Sequence, residues 1–257
     1  MLAQERQNKI LSLLDHQGTV RTIDLAEEFK VTDETIRRDL QLLEETNQLT
    51  RIHGGASNPS GRPKLASFAE RQTKEPEKKR RIAEAALPLI TPGRTYAFDS
   101  STTAFSLVAR LPDLPYRIVT NAYAVLDHLV RLNKIDLIST GGRFHPKTQT
   151  FIGGESDAAL RRYQIHTAFI SCVGLDDQRG ASEGFEQQAQ YKEVLIEVAE
   201  EVVLLVDSSK LAQRSEYFFA SLKAIDHIIT DPEADPKVLQ NLSDAGCRIT
   251  IAGESTL

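Results

Sequence analysis

The stretch TIDLAEEFKVTDETIRRDLQLLEET, residues 22–46, decides the architecture. It divides into two short amphipathic pieces around a tight turn. Thr22 is a suitable N-cap for a helix over 23–29, whose inner face carries Leu25, Ala26 and Phe29. Lys30, Val31 and Thr32 form the turn. Thr32 or Asp33 then caps a second helix running to about Thr46, with Ile36, Leu40 and Leu43 at i, i+4 and i+7. This layout predicts a helix-turn-helix. With Ile36 and Leu40 turned inward, Thr35, Arg37 and Arg38 fall nearer the exposed side. Polar residues there reach base edges in a DNA major groove, and the amides at the helix start favour a phosphate.

The flanks complete the domain. Residues 4–15 read as a preceding helix, with Ile10, Leu11, Leu13 and Leu14 apolar and Gly18 just past its end. Residues 49–52 and 54–56 read as a β-hairpin wing, which places Arg51 and His53 for the DNA backbone or minor groove. The candidate DNA contacts are therefore Thr22, Thr32, Thr35, Arg37, Arg38, Arg51 and His53. The competing reading is a helical subdomain with a solvated charged face. Bulk charge does not favour DNA, because residues 1–56 hold 7 basic and 10 acidic side chains in a chain of net charge -5. Residues 57–81 hold 8 basic and 3 acidic ones. Affinity must rest on a few placed cations, helped by the basic stretch.

Pro, Ser, Gly and charge mark residues 57–75 as a linker. From residue 76 to 257 apolar strands alternate with amphipathic helices, which predicts an α/β domain with a parallel-rich sheet covered on both faces. Ligands of such sheets bind beyond the strand C-termini. Asp99, Ser100, Ser101, Thr102 and Thr103 follow a strand over 95–98 and open a helix, the context of an anion site or of an ordinary N-cap. Thr120 and Asn121 end the next strand. Gly141 and Gly142 follow the one after it, as ligand-approach positions or as plain turns. Lys192 and Lys210 are candidates to neutralise a phosphate or bond sugar hydroxyls, and each also reads as a surface lysine.

Other chemistry finds little support. The six histidines show no metal-ligand spacing with one another or with Cys172 and Cys247. No P-loop or dinucleotide fingerprint occurs, so no metal, cofactor or catalytic residue is assigned. Two thiols in separate apolar runs fit a reducing cytoplasm. The N-terminus has no signal-peptide pattern, and no apolar run has the length of a membrane span. The expected location is cytoplasmic.

Residues 4–56, above all TIRRDL and RIHGGA, resemble the DNA-binding region of the DeoR family of bacterial sugar-metabolism repressors. Asp99–Thr103, Thr120-Asn121, residues 140–142, Tyr191-Lys192 and residues 207–210 are similar to the family's C-terminal region. The resemblance covers about residues 3–252. It implies a sensor fold related to ribose-5-phosphate isomerase, operator DNA as partner, a phosphorylated sugar as effector that weakens DNA binding, and a homodimer or homotetramer. Gly154-Glu155 departs from the family's frequent Gly-Pro. Residues 171–176 with Tyr191-Lys192 look most similar to repressors of fucose-type deoxysugar operons. The alternative is a sugar-phosphate isomerase with a fused DNA-binding domain, its acids drawn from Asp99, Asp176, Asp177, Glu183 and Glu186. Related isomerases carry Asp-Gly-Ala-Asp where this chain has Val173-Gly174-Leu175-Asp176, so the first acid is missing and no turnover is expected.

Overall fold

A computed structural model describes residues 3–46, 48–57 and 66–253, without the side chains of residues 12 and 15–17. The chain forms two compact units, Met1–Ala66 and Ser67–Leu257.

The first unit contains α1 (Ala3–Gln17), β1 (Thr19–Arg21), α2 (Thr22–Phe29), α3 (Asp33–Glu45), β2 (Thr50–Ile52) and β3 (Gly55–Ser57). Its core is Ile10, Leu14, Leu25, Ile36, Leu40 and Leu43, the apolar positions of the three helices. Lys30 ends α2 in the left-handed conformation, which turns the chain into α3. The wing is a three-stranded sheet in the order β1-β3-β2. Gly55 has to be glycine, since a Cβ would lie 1.9 Å from the carbonyl oxygen of Val20 on β1. One local expectation is corrected. Thr22 is the first residue of α2, and its N-cap is Arg21, which makes no side-chain cap bond. Thr22 instead donates its backbone N–H to Gly54 O at 2.9 Å, which fixes the helix start against the wing turn.

The second unit opens with α4 (Phe68–Thr73) and α5 (Pro76–Ala86). Alternation follows through β4 (Thr95–Phe98), α6 (Thr102–Val108), β5 (Arg117–Thr120), α7 (Tyr123–Leu129) and β6 (Asp136–Ser139). A hairpin of β7 (Arg143–His145) and β8 (Thr150–Ile152) leads to α8 (Gly154–Leu160) and β9 (Ile165–Ile170). Next come β10 (Gly174–Asp176), β11 (Gly180–Glu183), α9 (Glu186–Val198), β12 (Ala199–Leu205) and β13 (Tyr217–Ala220). The unit closes with β14 (His227–Thr230), α10 (Pro236–Asp244) and β15 (Arg248–Ile251). Seven strands form one sheet in the order β15-β14-β12-β9-β4-β5-β6, every pair parallel.

Side chains alternate across that sheet as strand geometry requires. Tyr96, Phe98, Phe169, Val203 and Leu205 pack with Ile82, Leu107 and Val125 on one face. Ala97, Ala168, Ile170, Val202 and Leu204 pack with Leu160, Leu195 and Leu242 on the other. The Phe98 and Phe169 rings stack with centroids 5.2 Å apart, joining the two central strands. Two differences from the sequence reading matter. The stretch read as linker becomes helical at α4, and residues 58–65 of it lie outside the described residues. The small antiparallel sheet β10-β11-β13 was also not anticipated, because its strands are too short to show a clear period.

Candidate functional site

The sheet order reverses between β4 and β9, and the chain leaves these strands in opposite directions along the sheet. Such a switch point opens a crevice beyond the strand C-termini. Asp99 follows β4 and Ser171 follows β9. Asp99 bridges the split, accepting from Ser101 N and Ser171 N, both at 3.0 Å. Ser101 Oγ in turn accepts from Ala104 N at 3.1 Å and caps α6. The expected anion loop thus carries its own carboxylate, and Asp99 occupies the Ser101 amide.

Lys192 lies under this crevice on α9, whose inward face repeats Gln188, Tyr191, Lys192 and Leu195. Its ammonium pairs with Asp99 at 3.1 Å and with Glu183, and donates to Ser171 O at 2.6 Å. An ammonium has three donors, and all three are engaged. Burial disfavours the Lys192 charge, but Glu183 and Asp99 more than offset it and the pKa rises. Lys210 pairs with Asp207 at 3.2 Å and reaches Ser171 Oγ at 3.4 Å. Gln188 Nε2 donates to Ser100 Oγ at 3.0 Å.

The other half of the edge is built by β5 and β6. Thr120 Oγ1 donates to Phe98 O at 2.8 Å and accepts from Ala122 N, so this hydroxyl ties β4 to β5. Asn121 Nδ2 donates to Phe151 O at 3.1 Å. Gly141 and Gly142 both have positive φ, and a Cβ on Gly142 would lie 2.8 Å from Ile152 O. Gly142 therefore permits close packing of the β8 backbone.

Sequence reasoning missed Arg71. It comes from α4, which a Ser67/Glu70 capping box starts and which Phe68 anchors edge-on against Phe105 at 5.6 Å. Arg71 Nη1 points to Ser100 O at 3.5 Å. Lys79 Nζ holds Arg71 O at 2.5 Å and also bonds Lys74 O, which pins the C-terminal end of α4. Burial lowers the Arg71 pKa, while Glu183 and Asp99 act to raise it. Burial likewise brings Lys79 down to about 8, with Lys210 adding to the effect.

Among the described residues, the buried side-chain atoms without a hydrogen-bond partner are Arg71 Nε and Nη2, Thr103 Oγ1, Asn121 Oδ1, Gln187 Oε1, Tyr191 OH and Thr230 Oγ1. Thr103 and Asn121 follow the C-termini of β4 and β5. Arg71 reaches the loop after β4, and Tyr191 faces Thr140 and Asn121. Buried polar atoms are almost always paired, so the open groups of Arg71, Thr103, Asn121 and Tyr191 leave this sheet edge with unused hydrogen-bonding capacity.

Four of the five acids of the isomerase alternative are otherwise engaged, and the fifth, Glu186, is exposed at the start of α9. Asp99 and Glu183 hold Lys192. Asp176 pairs with Arg214 at 2.6 Å and accepts from Gln178 N and Arg179 N, which together lower its pKa. Asp177 accepts from Asn241 at 2.7 Å. With its pKa lowered, Asp176 is a poor proton acceptor.

In the first unit, Thr32 Oγ1 caps α3 by accepting from Thr35 N at 3.3 Å. Thr32, Arg37, Arg38, Arg51 and His53 are exposed, Thr35 is half-buried and Thr22 is buried. Arg38 pairs with Glu34 at 3.4 Å on the open face of α3. No helix among the described residues is long and apolar enough to cross a membrane, and no described group of His, Cys, Asp and Glu could hold a metal ion.

Residues 6–61 match the DeoR-like helix-turn-helix domain, and residues 74–232 the DeoR C terminal sensor domain. The HTH-type transcriptional regulator YulB of Bacillus subtilis (strain 168) is 35% identical over 250 residues, covering 97% of each chain. An L-fucose operon activator of Haemophilus influenzae is 33% identical, covering 88% of this chain and 91% of the relative. A lactose phosphotransferase system repressor of Staphylococcus epidermidis is 31% identical, with the same coverages of 88% and 91%. All three are named as regulators. Ribose 5-phosphate isomerase A from Methanocaldococcus jannaschii aligns with a TM-score of 0.41 at 17% identity, over 54% of this chain and 55% of that one.

Proposed function

The chain belongs to the DeoR family of transcriptional regulators, and on that premise we propose that it represses a sugar-catabolism operon and releases it on binding a phosphorylated sugar. In this reading α3 enters the major groove, with Arg37 and Arg38 on bases or phosphates and Thr32 and Thr35 at the helix start. Arg51 and His53 on the wing reach the DNA backbone. The buried Thr22 contributes by its backbone and by setting α2 against the wing. Two such heads in a homodimer or homotetramer would read half-sites roughly 34–36 Å apart.

The observation that carries the effector half is the set of unpaired buried atoms at the sensor edge. Arg71, Thr103 and Tyr191 offer donors, and Asn121 offers an acceptor. A hydroxyl-rich anion answers both kinds. Lys210 adds charge, Lys192 holds Asp99 and Glu183 in place, and Gly141 and Gly142 shape the loop after β6. Ser100, Ser101 and Thr102 position that edge. Binding releases DNA only to the extent that the sugar prefers the DNA-free arrangement.

The test is a fluorescence-anisotropy titration on DNA upstream of the protein's own gene, with sugar phosphates and the matching free sugars. Specific binding that one phosphosugar reverses, and its free sugar does not, is the expected result. Specific binding unaffected by every phosphosugar would refute the effector half.

A further inference from the structure

We propose that Arg71 is the specificity-determining residue of the effector site, taking the phosphate of the sugar on its Nε–Nη2 edge. The inference rests on the effector reading above and names the group that separates a phosphorylated sugar from a free one.

Three observations carry it. The first is which donors are open. Nη1 is turned to Ser100 O, while Nε and Nη2 are buried without a partner. These two nitrogens form the side of the guanidinium whose parallel N–H groups fit two oxygens of one oxyanion. The second is that the rival cations are committed. Lys192 has every donor engaged, and Lys210 is shared between Asp207 and Ser171. The third is preorganisation. The α4 backbone is fixed by its capping box, by Phe68 N donating to Lys147 O at 3.1 Å, and by Lys79 on Arg71 O.

The surrounding charge is compatible with an anion. Arg71, Lys79, Lys192 and Lys210 stand among the carboxylates Asp99, Glu183, Asp207 and Glu75, four of each sign. An arriving phosphate meets this mixed-charge cluster inside a site of reduced dielectric, where a charged hydrogen bond to an open guanidinium edge counts most. A lysine at position 71 would keep the charge but lose the paired N–H geometry.

The experiment follows the Arg71 Nε–Hε resonance of the intact, 15N-labelled protein during addition of inorganic phosphate. The Arg71→Lys variant serves for assignment. The resonance should shift with phosphate and stay still with D-galactose. In the anisotropy assay, Arg71→Lys should need roughly tenfold to a hundredfold more phosphosugar for DNA release, with unchanged DNA affinity. An unmoved resonance would overturn the proposal, and so would D-galacturonate shifting it where phosphate does not. Release by a phosphosugar with Arg71→Lys responding like the parent protein would remove Arg71 and leave the effector reading standing. A phosphate-shifted Arg71 with no phosphosugar releasing DNA would do the reverse. Should Arg71→Lys fail to fold, sequential backbone assignment of the parent protein still identifies the resonance.

Discussion

The two units bury charge in opposite ways. In the winged unit, Asp39 on α3 takes Arg6 at 2.5 Å on one oxygen and Gln7 at 3.0 Å on the other. All three groups lie between α1 and α3, and no buried side-chain atom among the described residues of this unit is unpaired. At the sensor edge, Lys192 is closed off in the same manner, but Arg71, Thr103, Asn121 and Tyr191 keep open donors and acceptors. A closed polar network does structural work. An open one costs stability unless something else completes it. The contrast separates residues whose polar groups are all paired from residues that keep open donors and acceptors.

The largest effect should come from breaking the closed network. Asp39→Ala strands Arg6 in the interior and should cost about 3–5 kcal/mol in the winged unit. Calorimetry of the full chain should show that loss without a matching change in the sensor transition. A loss under 1 kcal/mol would mean that the pair is not closed as described.

His227 extends the comparison to the far edge of the sensor sheet. It begins β14 and is held by Thr250 at 2.8 Å and Arg248 at 3.0 Å. Burial, with Arg248 adding, lowers its pKa to about 4. The unfolded chain therefore binds more protons between about 4 and the ordinary value of about 6.5. The stabilisation is full above 6.5 and is lost as pH falls towards 4, on the order of 3 kcal/mol in all. His227→Gln should flatten that part of the acid-unfolding curve and leave effector affinity unchanged. An unaltered curve would count against a buried neutral imidazole.

Exposed Arg37 should behave in neither fashion. Arg37→Ala should weaken operator binding by about 1–3 kcal/mol and leave the melting temperature in place. Unchanged affinity would remove it from the reading surface. The smallest effect should be the most telling. Thr103→Val deletes an unpaired hydroxyl and should be neutral or stabilising by up to about 1 kcal/mol, while raising the effector needed roughly threefold to tenfold.

The winged helix was legible because its core residues repeat at helical spacing over three consecutive segments. Even so, Asp39 passed as an ordinary polar residue, although it lies three positions from Ile36 and four from Leu43, on the buried face. The strand-end positions Asp99, Thr120 and Asn121 were legible because a parallel sheet exposes its C-terminal edge to ligands. What Asp99 does was not legible, since its partners Lys192 and Glu183 lie more than 80 residues away in the chain. Arg71 was hidden for a local reason. A six-residue helix is too short to show a period, and its neighbourhood has the composition of a linker. The signal that could have found it is Ser67-Phe68-Ala69-Glu70, the Ser-x-x-Glu pattern of a capping box.

In the proposed reading, the unpaired atoms at the switch-point edge are the effector's binding partners. Isothermal titration of the DNA-releasing phosphosugar into the parent protein, a Thr103→Val/Tyr191→Phe variant and His227→Gln tests it most directly. The double variant should lose at least tenfold in affinity, with its fold intact, and His227→Gln should lose none. Equal affinity in all three would contradict it.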